Sequence, residues 1–481
     1  MPKKSVGFIL LVCLALAFCV GLNVYASVTG DGAEIRVVSG DVSEFEGFTV
    51  TQHSVVSGHE VVDLTFSPAS GETSTRRNWN FRDTAVSEPK PEIRAALVGF
   101  DYEEGWYTDL EYESTIPLPF AQELLDEAYD KAGSDEDTVL VAHRLSDYMD
   151  TVPLTFAARG LGEAAGVYAD GLDSQRLRVG YPFHDLDGYD GMLLSGGFGL
   201  ALPEILSVSG RLNLSAARNR FSVGTDAGFS SKYSVSSDCV YTGDAFYIVL
   251  DICDVEYESV SYNQYGEITG YSMKTVLDSH PDPAGLPGDS WGIYRIPCTQ
   301  AADGPVPDFT RVENIYPITR NWDDIHLELS DDGSELLLFT GEDDGEWFTV
   351  VDRETGAEKQ RFKIRDESFN GSTVDCAVGV DSVMFGSGFN MIGLVRDDGV
   401  WRIEFSTFGR NEEFPDHVVN YYGFACAWDG EHLAVLDWGW LGKELRLRIL
   451  SGSGVTEELI LDSSAAGAGY LESVYGLRVD A

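Results

Sequence analysis

The chain has 481 residues, 43% hydrophobic and 12% aromatic, enough for one large domain or two ordinary ones with packed cores, and this excludes general disorder. Lysine and arginine total 33 against 79 aspartate and glutamate, a formal charge of −46, so the surface repels nucleic acid and anionic lipid headgroups and both are excluded as partners. The acidic residues are dispersed rather than gathered in a tail, which reads as solubility outside the cell.

Lys3 and Lys4 precede an apolar run over residues 6–20, and Val24-Tyr25-Ala26 closes it with a small residue. A positive start, an apolar middle and a small-residue end make a secretory signal, with the cut before Ser27. The 21 residues of 6–26 are equally long enough to span a bilayer as an uncleaved anchor, with the rest of the chain facing outwards. Residues 1–26 are therefore expected to form a leader helix, signal peptide or membrane anchor. Either way the location is extracytoplasmic, secreted or anchored, and the membrane is met only through this segment.

Residues 33–82 alternate and are rich in Val, Thr and Phe between Gly and Ser clusters, the pattern of short antiparallel strands. Ser87-Glu88-Pro89-Lys90-Pro91 breaks this pattern, and 97–112 is again strand-like. Residues 119–133 predict one short helix, with Leu124, Leu125 and Ala128 on one face and Gly133 as its stop. Residues 28–133 thus form an N-terminal β region ending in that helix. They are placed either as a small domain or as the donor of a strand that pairs with 473–479.

The stretch 135–481 repeats. An Asp, usually with Gly, stands just before an apolar strand at Asp332-Gly333, Asp381 and Asp429-Gly430, in steps of 49 and 48 residues. Gly243-Asp244 is an earlier copy if 254–290 is a loop insertion, and Asp190-Gly191 and Asp137 are copies further back. A second marker is a strand opened by Trp291, Trp347, Trp401 or Leu445, in steps of 56, 54 and 44. A period near 50 with several strands per unit resembles β-propeller repeats, and 350–356 (Val-Val-Asp-Arg-Glu-Thr-Gly) resembles their outer-strand-to-turn ending. The resemblance implies an all-β, propeller-like architecture of six or seven blades of about 50 residues. The competing arrangement is two β-sandwich-like domains.

Of the cysteines, Cys13 and Cys19 fall in the leader, leaving Cys239, Cys253, Cys298, Cys376 and Cys426. An odd number at wide spacing is neither a zinc framework nor a disulfide scaffold. A Cys239–Cys253 bridge is one reading and buried free thiols the other.

Catalytic patterns are sparse. Ser87-Glu88-Pro89-Lys90 matches Ser-x-x-Lys but lies in a polar, Pro-bearing linker without the shaped pocket a nucleophile needs. No pair of histidines has metal-ligand spacing. Asp185-Leu186-Asp187-Gly188-Tyr189-Asp190-Gly191 departs from a calcium loop at its fifth and sixth positions and lacks the closing Glu. No cofactor is expected. The turns holding Asp343-Asp344 and Asp397-Asp398 resemble part of the Asp-box of sialidase-type propellers without its Ser and Thr, and Asp-Gly is also a tight hairpin turn for backbone reasons.

If the repeats are equivalent, Asp343, Asp344, Asp397, Asp398, the turn with Trp438 and Trp440, and the 254–290 insertion with Tyr257, Tyr262 and Tyr265 collect on one face. Exposed aromatics on loops of a rigid scaffold suit a glycan or a protein partner. The expectation is an extracytoplasmic binding or sensory domain for a protein or glycan. A hydrolase using paired carboxylates and a structural cell-envelope protein are its rivals.

Overall fold

A computed structural model describes residues 34–55, 60–79, 90–96, 98–104, 121–131, 138–144, 147, 151–161, 177–179, 191–201, 207–213, 220–225, 233–262, 268–276, 280, 282–302, 304–320, 322, 325–342, 344–366, 375–387, 390–407, 424–438, 444–451, 454–462 and 472–479. The chain is built of antiparallel β-sheets, with one α-helix, Ala121–Lys131, among the described residues. Leu124 and Ala128 of that helix are fully buried, as their spacing predicts. No helix among the described residues is long and apolar enough to cross a membrane, and the 6–26 run lies outside them.

The chain divides into two compact units, residues 89–329 with 335–368, and residues 1–88 with 330–334 and 369–481. In the first unit the clearest sheet is a four-stranded meander, Ile325–Leu329, Glu335–Glu342, Gly345–Asp352 and Glu358–Arg365, in sequential order. Its second strand buries Leu336, Leu337, Leu338 and Phe339 together, so both of its faces are covered. A continuous apolar run, rather than an alternating one, is what such a strand requires.

The same unit holds a six-stranded sheet around Tyr233–Tyr241, Ala245–Tyr262 and Gly292–Ala301. It also holds a five-stranded and a three-stranded sheet. In the six-stranded sheet 246–250 is again buried throughout.

The second unit repeats the four-stranded plan. One meander is Asp375–Gly379, Ser382–Ser387, Asn390–Asp397 and Val400–Ser406. The next is Phe424–Trp428, Leu433–Trp438, Glu444–Ser451 and Gly454–Asp462, with Glu34–Ser39 added as a fifth strand at its edge. Val383, Met384 and Phe385, and residues 433–436, are the buried second strands. The third sheet joins the two ends of the sequence: Glu472–Val479 pairs with Phe48–Val55, which continues to Glu60–Ser67 and Glu72–Trp79. Its register runs from Phe48 opposite Val479 to Val55 opposite Glu472. Within 28–133, it is Phe48–Val55 that pairs with Glu472–Val479.

The Asp marker has one structural meaning in four sheets. Asp244, Asp332, Asp381 and Asp429 all stand in the turn between the first and second strands. Asp332 Oδ1 accepts the Ser334 N–H (2.9 Å) and Asp429 Oδ1 the Glu431 N–H (2.8 Å), the side-chain-to-backbone bond that favours Asp in turns.

Four expectations need correction. Trp347 and Leu445 lie on third strands and Trp291 just before one, but Trp401 lies on the fourth strand of its sheet, which is why the second marker loses phase. Asp137 and Asp190 lie outside the described residues. The strands that follow them, Thr138–Arg144 and Gly191–Ala201, are edges of the five- and three-stranded sheets rather than second strands of a meander. Residues 350–352 close a third strand, and 353–356 turn towards the fourth. Finally, Cys239 is opposite Ile248 and Cys253 opposite Ser234, five residues apart along the ladder. That is about 17 Å, beyond the roughly 7 Å a disulfide spans between Cα atoms. Cys239, Cys298, Cys376 and Cys426 are free thiols.

Candidate functional site

The hairpin containing Asp343 and Asp344 joins the second and third strands of the 325–365 meander, with Glu342 opposite Gly345. Asp343 lies outside the described residues. Asp344 is exposed and accepts the Trp347 Nε1–H at 2.8 Å, which holds its carboxyl below the usual carboxylate range, aided by Lys363 at 3.4 Å. The Arg361 guanidinium lies 3.8 Å from the centroid of the half-buried Trp347 ring and bonds Glu342, whose carboxylate also accepts the Thr340 hydroxyl at 3.1 Å. A cation on an indole face and a carboxylate on its N–H fix the ring from two sides.

Asp397 and Asp398 are exposed in a different connection, between the third and fourth strands of the 375–406 meander. The expected equivalence with the Asp343-Asp344 turn is therefore corrected: in an antiparallel meander these two connections lie at opposite ends of a sheet. Asp398 (φ 49°) and Gly399 (φ 78°) form the two-residue loop, a left-handed pair that tight hairpins require. Asp397 Oδ2 is 3.6 Å from Arg402.

Beside this turn is a cluster that the motifs did not reveal. Arg396, 13% exposed, reaches Asp381 (2.6 Å), Asp332 (3.0 Å) and Asp331 (3.2 Å), with its guanidinium 5.7 Å from the Trp401 ring centroid. Burial raises the carboxyl of Asp331 despite Arg396. Burial also works against Asp332, yet its bonds from the Ser334 N–H and the Ser330 and Ser334 hydroxyls, together with Arg396, hold it far below the usual range. The clasp ties the repeat-marker turns of 330–334 and 380–381 to one cation.

Trp438 ends the strand Leu433–Trp438, while its side chain and Trp440 lie outside the described residues. Asp437, read from sequence as part of that turn, is instead a strand residue 1% exposed and bonded to Arg448, 4% exposed. Arg448 also meets Glu458 at 3.3 Å, and Glu458 meets Arg446 at 3.1 Å. The result is an alternating chain of carboxylates and guanidiniums running from the interior outwards. Burial pushes the Asp437 carboxyl up to about 7 against the pull of Arg448. The weak signal for this chain is Arg446 and Arg448 two apart on one strand face, in a sequence where cations are scarce.

Two strands run through the 254–290 insertion. Its first part continues the second strand, Ala245–Tyr262, beyond the sheet, and Ile268–Val276 returns antiparallel from Tyr262 opposite Ile268 to Asp254 opposite Val276. Tyr257 is opposite Met273 and Tyr271 opposite Val260, while Tyr265 lies outside the described residues. The first strand, Tyr233–Tyr241, pairs as far as Asp254, so among the described residues the ribbon beyond that point is two-stranded.

The described histidines are engaged with partners. His53 faces Asp63 at 2.5 Å, His143 faces Glu127 at 2.6 Å, and His326 faces Asp238 at 3.4 Å. His432 lies between Asp429 and Glu44, each at 3.3 Å, and His280 faces the carbonyls of Ile252 and Trp322. Among the described residues no group of three His, Cys, Asp or Glu side chains is arranged to hold a metal ion. Chemically, the described clusters clamp turns and strands together.

No protein-family model matches the chain, and no curated protein does. Among solved structures, the chain is similar over 89% of its length to a periplasmic gluconolactonase of Pseudomonas aeruginosa (99% of that chain, 12% identity, TM-score 0.27). It is similar over 90% of its length to TolB of Acinetobacter baumannii (82% of that chain, 10% identity, TM-score 0.21). It also resembles a protein of unknown function from Desulfotomaculum acetoxidans (90% and 99% covered, 9% identity, TM-score 0.24). Scores this low carry no argument about what this chain binds or does.

Proposed function

We propose that this chain is an extracytoplasmic, non-catalytic binding protein of propeller-like repeat architecture, with a protein or glycan as its ligand. The observation that carries this reading is the ribbon formed by 254–262 and 268–276. An isolated two-stranded hairpin is marginally stable in water, and a long aromatic one on a rigid scaffold suits partner recognition. The repeated four-stranded meanders with doubly covered second strands, and the pairing of the two sequence ends, support the propeller-like arrangement. The leader supports the location.

The test replaces 256–274 by Asn-Gly, which closes the ribbon with a tight turn and leaves the sheet that carries it intact. A soluble form starting at Ser27 is screened on a glycan array and on immobilised envelope proteins, with and without the ribbon. Binding that disappears with the ribbon at an unchanged melting temperature supports the reading. Binding that survives its removal, or turnover of lactone or glycoside substrates by the intact protein, overturns it.

A further inference from the structure

Two arginines hold the same place in two meanders and are treated differently. The buried second-strand runs open at Leu336 and Val383, opposite Val351 and Leu394. Two residues beyond those partners stand Arg353 and Arg396. Arg396 is met there by the carboxylates of Asp331, Asp332 and Asp381. Arg353 is met by none. Its Nε–H is buried without an acceptor, and among the described residues no carboxylate lies within ion-pair distance of its guanidinium. Leaving a covered, charged donor unsatisfied is costly, and this chain has 79 carboxylates with which to avoid it.

The carboxylates near it in sequence are spent elsewhere. Asp352 shapes the turn by accepting the Thr355 N–H (2.9 Å) and hydroxyl (2.8 Å), and it pairs with Lys359 (3.2 Å). Glu358 accepts the Tyr316 hydroxyl at 2.6 Å, which ties the turn to the strand Glu313–Pro317. Gly356 (φ +67°) permits that close seat, because a Cβ there would stand 2.1 Å from the Ile315 carbonyl oxygen. The seat brings Arg353 to the row in which Tyr247 is opposite Arg295 and Arg295 opposite Glu313. Burial raises the Tyr247 hydroxyl against the hydrogen bond and charge of Arg295 and the charge of Arg353, so both guanidiniums stand about one phenol oxygen. Arg295 is itself loosely held: among the described residues its carboxylate contact is Asp244, 3.7 Å away and 64% exposed.

We infer that Arg353 and Arg295 form an anion site whose ligand presents a carboxylate, with Tyr247 as the residue that positions Arg295. The planar fork of a guanidinium matches the two oxygens of a carboxylate. One negative charge, added to Asp244, balances the two cations. A second, as on phosphate, would be repelled by Asp244 and by Glu313 across the strand. None of these residues belongs to the 254–276 ribbon, so the site stands or falls separately from the ribbon's role.

Acetate is the probe, followed through its methyl signal by ligand-observed NMR with the full-length chain in chloride buffer of constant ionic strength. Saturable binding is expected, about tenfold or more tighter than that of inorganic phosphate. Arg353→Met and Arg295→Met should each weaken it about tenfold or more, the value of a hydrogen bond to a charged group. The melting temperature without acetate gives a second, independent readout. Arg353→Met should melt no lower than the parent, because it removes an unpaired cation and no ion pair. Arg396→Met should melt lower or fail to fold, because it strands three carboxylates. Acetate binding that is absent from the parent, or that survives either change at Arg353 or Arg295, overturns the site. So does an Arg353→Met variant that melts as far below the parent as Arg396→Met. Phosphate bound as tightly as acetate overturns the carboxylate assignment.

Discussion

Replacing Asp437 tests whether the charge chain it forms with Arg448, Glu458 and Arg446 is as buried as its geometry says. Asp437 and Arg448 are 1% and 4% exposed, so each needs the other. Removing one member of such a pair strands the second in a medium that solvates it poorly, at a cost of about 3–5 kcal/mol. Asp437→Ala should lose about that much at pH 7.5. Asp437→Leu with Arg448→Met should recover most of the loss, because an apolar pair of similar volume has no charge to desolvate.

The pH dependence carries its own sign. The carboxyl sits near 7 in the fold against 3.8 as its ordinary value, so the native state binds this proton more tightly than the unfolded chain. Its contribution is therefore fully present below pH 4, fades as pH rises through 7, and changes by at most ~1.4 kcal/mol per pH unit in between. Relief of the −46 charge acts in the same direction, so the comparison must be with Asp437→Asn, which keeps the shape and cannot titrate. Urea unfolding at pH 7.5, 6.5 and 5.5 measures both slopes. An Asp437→Asn variant that gains stability on acidification as steeply as the parent would refute the assignment. So would an Asp437→Ala cost under ~1 kcal/mol, the value of an exposed pair.

Three further outcomes follow from the geometry. Deleting residues 472–481 removes Tyr475 and Leu477, 8% and 7% exposed, and uncovers Phe48–Val55. At about 1.5–3 kcal/mol per buried side chain the loss is roughly 3–6 kcal/mol before any backbone bonds are counted, and an unchanged melting temperature argues against the pairing. Trp347→Ala, by taking the ring from under Arg361 and the N–H from Asp344, should cost about 1–3 kcal/mol in denaturant unfolding, with Trp347→Phe intermediate. Cys426 is buried and its thiol is pushed up to about 12 by that burial, as burial also raises Cys239, so both should resist a thiol reagent until the protein unfolds. Rapid native labelling, or a Cys239–Cys253 cross-linked peptide on mass mapping, contradicts the structure.

The sequence exposed the sheets wherever a fully covered strand demanded a continuous apolar run, as at 336–339, 383–385 and 433–436. The Asp before each run was legible for a local reason: a carboxylate that accepts the N–H two residues on belongs in a turn. What local chemistry could not say was which turn. Asp398-Gly399 and Asp344-Gly345 look alike in sequence because any tight hairpin favours them, yet they serve different connections. Trp401 misled similarly, since a large aromatic packs as well on a fourth strand as on a third. The Asp437–Arg448 and Arg396 clusters stayed hidden because their oppositely charged partners lie 10 to 65 residues apart in a chain with 79 carboxylates to choose from. Between residues 90 and 230 the sheets interleave strands distant in sequence, and a periodicity argument has no hold on such an order.

The sheet that joins Phe48–Val55 to Glu472–Val479 sets a timetable for biogenesis. Its first three strands leave the ribosome early, but the strand that covers their open edge is nearly the last thing made. With about 400 residues still to come, at roughly 5–20 residues per second, that edge waits on the order of 20–80 s for its partner. Throughout that interval it is a template for pairing with other nascent chains. A copy cut short before 472 would keep that strand edge open for as long as it existed.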